Sequence, residues 1–74
     1  NKGAKMKKLE NYRDFSQHAA DMERVGAYEQ AEAAWEKASV VACKSVNEEW
    51  ALNRRAMCAH LVKYPDRRPG VKND

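Results

Sequence analysis

Residues 25–35 read V-G-A-Y-E-Q-A-E-A-A-W, and this stretch decides the fold. Gly26 is a stop, because glycine reaches the left-handed conformation needed just past a helix end without a side-chain penalty. Upstream of it, Phe15, Ala19, Met22 and Val25 recur at steps of three and four, which predicts a first helix from about Arg13 to Val25 with those residues inward. Downstream, Tyr28, Ala31, Trp35, Ala38 and Ala42 form one stripe, predicting a second helix from about Tyr28 to Cys43. Only a couple of residues separate the two, so they must fold back as an antiparallel hairpin. Alanines at 31, 34 and 38 allow close approach of another helix, and Trp35 fills the space that small residues leave.

Further along, Ser45-Val-Asn-Glu48 has the pattern of a capping box opening a third helix, with Ser45 as the cap. Trp50, Arg54, Met57, Cys58 and Leu61 then share a face. Arg54 is the odd member, and its stem can pack inward if its guanidinium finds a carboxylate. From Tyr64 the sequence P-D-R-R-P-G-V-K-N-D loses periodicity. The expectation is an all-α chain: a flexible basic segment over 1–11, a three-helix domain over 12–63 and a flexible basic tail over 64–74.

A chain of 74 residues buries little of its own surface, so its stability margin is thin. Two cysteines, Cys43 and Cys58, do not make a secreted disulfide scaffold and suit a reducing cytoplasm. No apolar run approaches the roughly 20 residues that span a bilayer. A homodimer is therefore expected to supply the missing burial, through helices one and two. The net charge of +3 hides an acidic centre between basic ends: residues 1–13 carry +4, residues 14–53 carry −5 and residues 54–74 carry +4. Basic ends with Arg54 and Arg55 leave direct nucleic-acid binding open as an alternative.

Cys43, Cys58, His18 and His60 invite a zinc reading, but paired ligands at structural-site spacing are missing. Cys58 and His60 lie two apart on a helix, about 200° round its axis, and cannot easily grip one ion. No nucleophile elbow, P-loop or glycine-rich phosphate cradle is found either. The expectation is a binding protein, not an enzyme, with no cofactor.

Residues 19–58 nevertheless form a pattern: A-A-D-M-E-R-V-G-A-Y-E-Q-A-E-A-A-W-E-K-A, then A-C-K-S-V-N-E-E-W-A-L-N-R-R-A-M-C. Its first part resembles the turn and second helix of a tetratricopeptide repeat, which needs stacked neighbours that one hairpin does not have. The whole, carried by Ala19, Ala20, Glu23, Gly26, Tyr28, Ala31, Trp35, Ala38, Asn47, Trp50, Ala51, Arg55 and Cys58, resembles the ANR family. These are small bacterial negative regulators of AraC-type transcription activators, related to the PerC-like virulence regulators.

The resemblance implies a cytoplasmic regulator that binds an AraC-type activator and blocks its dimerisation or DNA binding, with a link in some members to nucleoid-associated proteins. PerC-like relatives instead activate promoters, and a phage-type adaptor for RNA polymerase is a further alternative. The residues proposed to meet the partner are Glu29, Glu32 and Glu36, an acidic face suited to a basic DNA-binding protein, together with Arg54 and Arg55.

Overall fold

The computed structural model describes residues 11–69. They form α1 (Tyr12–Arg24), α2 (Tyr28–Val41) and α3 (Ser45–Lys63), followed by a short 3-10 turn, Pro65–Arg67. The all-α class is the one expected. The segment 1–10 and the tail beyond 69, assigned above to flexible ends, lie outside the described residues.

α1 starts where a side chain can cap it. Asn11 is extended, and its Oδ1 accepts the backbone N–H of Asp14 at 2.9 Å, satisfying one of the free amides of the first turn. At the other end Gly26 has φ +83°. Its N–H donates to the carbonyl of Glu23 at 3.0 Å, and the N–H of Ala27 donates to Met22 at 2.8 Å. Those two bonds make a Schellman closure, which a left-handed glycine permits. A side chain at 26 would meet no neighbour, so the cost of replacing this glycine is conformational, not steric.

Val25 departs from the expectation. It is 70% exposed, because α1 ends at Arg24 and the chain turns away before a further inward position is reached. α2 likewise ends at Val41, leaving Ala42 as an extended, half-buried cap instead of a stripe residue. Ser45 is not a cap either. The carbonyl of Lys44 accepts the N–H groups of Asn47 and Glu48 at 3.1 and 3.0 Å, so the helix starts one residue early and Lys44 takes the cap position without a side-chain bond.

Because α1 and α3 each pack along α2 and touch one another little, the three helices form a slab, 46 × 35 × 14 Å in extent. It is little more than one helix thick. The core lies along both sides of α2: Ala19 from α1, Tyr28, Ala31, Ala34, Trp35 and Ala38 from α2, and Ala51, Cys58 and Leu61 from α3. Trp35 is 4% exposed between fully buried alanines, as its setting predicted. Phe15, Met22, Met57 and Val62 pack against this cluster from its edges.

Trp50 does not join that core. It is 54% exposed on the flank of α3, while the inward positions beside it belong to Ala51 and Arg54. The stripe that appeared to run from Trp50 to Leu61 is centred one position further round the helix than its aromatic member suggests. The tail also departs from its aperiodic appearance. After the turn at Pro65–Arg67, the Nε–H of Arg68 donates to the carbonyl of Leu61 at 2.9 Å, and its guanidinium lies 5.0 Å from the centre of the Tyr28 ring. The described part of the tail is thus packed back on α2 and α3.

Candidate functional site

One carboxylate joins all three helices. Glu23, in the last turn of α1, has a side chain only 13% exposed. Its Oε2 accepts the indole N–H of Trp35 at 2.5 Å, the Nε–H of Arg54 at 3.4 Å and the thiol of Cys58 at 3.5 Å. Its Oε1 accepts a second guanidinium bond, from Nη2 of Arg54. A buried carboxylate is costly unless paired and hydrogen-bonded, and here every part of that demand is met. No buried side-chain nitrogen or oxygen among the described residues lacks a partner.

The Cys58 thiol is fully buried, and burial first, then the neighbouring Glu23 carboxylate, pushes its pKa from 9.0 up to about 12. Cys58 is therefore a protonated donor and an inert thiol, whereas Cys43 is exposed and free. Linkage fixes the sign. A thiol that ionises near 9 when unfolded and near 12 when folded contributes stability that is whole below pH 9 and is lost as pH rises toward 12. Unfolding free energy measured over that window should fall more steeply with pH in the wild type than in Cys58→Ala. Parallel slopes would contradict the assignment.

The proposed partner-facing residues separate into two groups. Glu29, Glu32 and Glu36 do fall on one stripe of α2, with Glu29 and Glu36 exposed and Glu32 half-buried. None of them is in an ion pair among the described residues. Arg54 is different. Its guanidinium is held by Glu23, so it serves the fold, although a third of the side chain stays open to the surface. Arg55 is half-buried and makes no ion pair among the described residues. It points about 100° away from Arg54 round α3, so the two do not form a joint basic patch.

Glu23, Trp35 and Cys58 carry the sequence pattern, and they converge on this one hub, with Tyr28 and Ala31 buried beside it. This part of the pattern is scaffold, while Trp50, another patterned residue, is exposed. What the sequence missed is an open cleft of about 720 Å³ at the end of the slab, walled by Glu23, Tyr28, Arg54, Met57 and Arg68. Arg68 sits there because the tail folds back after the 3-10 turn that Pro65 opens.

Among the described residues, no group of three or more His, Cys, Asp and Glu side chains is placed to hold a metal ion. No described helix is long and apolar enough to cross a membrane.

Over 62 residues the chain is 39% identical to an uncharacterized protein in the Mu-like prophage FluMu region of Haemophilus influenzae, a match covering 80% of this chain and 84% of that protein. No family model matches the chain, and no solved structure matches it.

Proposed function

We propose, from the premise that this chain belongs to the family of the FluMu-region protein of Haemophilus influenzae, that it is a small transcriptional regulator working by protein contact in the cytoplasm. It binds an AraC-type activator and blocks that activator's dimerisation or DNA binding. The observation that carries the reading is the acidic stripe Glu29, Glu32 and Glu36, which no described cation pairs. An unneutralised row of carboxylates along a rigid helix attracts a basic surface and repels DNA phosphates. The likeness of residues 19–58 to the ANR pattern supports an AraC-type protein as the owner of that surface.

The structure weakens the competing nucleic-acid reading at one point, since Arg54 is already taken by Glu23. The prophage setting of the relative favours a second reading, a phage-type adaptor that uses the same stripe on RNA polymerase. The two differ in what is captured. The full chain should retain an AraC-type activator from its native cell and should not retard duplex DNA by itself. Reversing all three charges (Glu29→Lys, Glu32→Lys, Glu36→Lys) should weaken the activator complex by about tenfold or more, roughly 0.5 kcal/mol for each rim charge, with helix content unchanged. Equal binding by the triple variant would remove the stripe from the account. Retention of polymerase subunits without an activator would select the second reading.

A further inference from the structure

α3 is an outer helix of the slab, and one of its sides is covered by neither α1 nor α2. Along that side run Val46, Trp50, Asn53, Met57, His60 and Tyr64, all exposed except Met57, which is half-buried with part of its side chain against the core. Their spacing alternates four and three residues, which is the spacing of a two-helix seam. Val46 is 65% exposed, Trp50 54% and Tyr64 40%, so three of the large hydrophobic residues left open by the fold lie in this row. The rings of His60 and Tyr64 are 4.8 Å apart and close its lower end. The row is about 27 Å long at 1.5 Å per residue.

The flanks of the row decide what fits it. On the inner flank, Arg54 and Leu61 face the protein's own core. On the outer flank, Glu49, Ala56 and Lys63 succeed one another at steps of seven, and all three are exposed. Glu49 has no ion pair among the described residues, and Lys63 has only the ring of Tyr64, 5.5 Å away. The flank is thus acid at one end, neutral at its midpoint and basic at the other. Such a row is complementary to itself when reversed.

We propose that a second copy of this chain docks on this row, α3 against α3 and antiparallel, with the two-fold axis beside Ala56. Each Glu49 then faces Lys63 of the partner subunit, and Trp50 and Met57 are covered by the other helix. A parallel pair would instead set Glu49 toward Arg54 of the partner subunit, a guanidinium already held by Glu23, and would leave Lys63 without a carboxylate. The surface is isologous, so it closes at two chains. It also moves the expected dimer contact away from helices one and two, whose apolar stripes cover each other. This proposal stands apart from the regulator reading, because the acidic stripe lies on α2.

Sedimentation equilibrium of the full chain tests it. The average mass should rise from one chain to two across the micromolar range, as befits a short seam. Trp50→Glu should raise the dissociation constant at least tenfold. Glu49→Lys and Lys63→Glu, both at exposed positions and both to be checked for unchanged helix content, should each weaken the dimer, and the two together should restore it. A single-chain mass at all concentrations up to the millimolar range would overturn the proposal. So would an unchanged dimer in Trp50→Glu, or a double charge swap weaker than either single swap.

Discussion

Glu23→Ala should remove about 3 kcal/mol of folding stability and leave a substantial unfolded fraction at 37 °C. Breaking a buried ion pair from one side costs about 3–5 kcal/mol, because the partner is left charged and unpaired. The lower end applies, since the Arg54 side chain is 32% exposed and can recover some hydration. The loss also strands the indole N–H of Trp35 and the thiol of Cys58, which donate to the same carboxylate. At roughly 0.05–0.15 kcal/mol per residue a chain of this size has a total stability of about 4–11 kcal/mol, so one side chain would account for a large share of it. Denaturant unfolding followed by circular dichroism reads the effect. Glu23→Gln should fall between, because the amide oxygen still accepts from Trp35 while Arg54 loses its counter-charge.

The second large effect is at Trp35. Trp35→Ala should cost about 3–5 kcal/mol, the range for deleting a buried aromatic side chain, and should abolish cooperative unfolding in so small a core. The neighbours cannot close the gap, because Ala31, Ala34 and Ala38 are already at minimum size and helix-to-helix contact. Trp35→Phe should be milder, keeping much of the ring but leaving Glu23 without its indole donor. Fluorescence distinguishes the two tryptophans. Trp35 should emit as a buried indole and Trp50, half open to solvent, as a wet one, so Trp35→Ala should leave only a red-shifted signal and Trp50→Phe only a blue one.

How far the sequence could be read follows from the range of each interaction. Gly26, Trp35 and the order of the three helices were legible because glycine stops, alanine-rich stripes and apolar periodicity act within a few residues. Sequence reasoning also anticipated that Arg54 would bury its stem and find a carboxylate. It could not say which one. Glu23 is 31 residues away from Arg54 and 35 from Cys58, and nothing local in a polar stretch such as D-M-E-R singles it out. Trp50 was misplaced for a related reason. A stripe read from periodicity has a centre uncertain by one position, and on a helix that rotates a residue by about 100°. Ser45 lost the cap to Lys44 because the ladder can start one residue early when no side-chain bond decides the matter. The return of Arg68 to Tyr28 depends on a tertiary surface that α2 and α3 create together, and aperiodic sequence carries no sign of it.

Scaffold and surface are divided between different residues. Of the patterned residues, Glu23, Gly26, Tyr28, Trp35 and Cys58 shape the interior and its turns, while Trp50 lies on the exposed α3 row and none lies on the acidic stripe. Substitutions in the first group should therefore lower stability and binding together. Those in the second should alter binding alone.

Glu23 couples α1 to α3 through Arg54, and a double-mutant cycle measures that coupling directly. Unfolding free energies of the wild type, Glu23→Gln, Arg54→Met and the double variant should show the double variant less destabilised than the sum of the singles, by about 1–3 kcal/mol. Additive losses within about 0.5 kcal/mol would mean that the two residues act independently and would contradict the account.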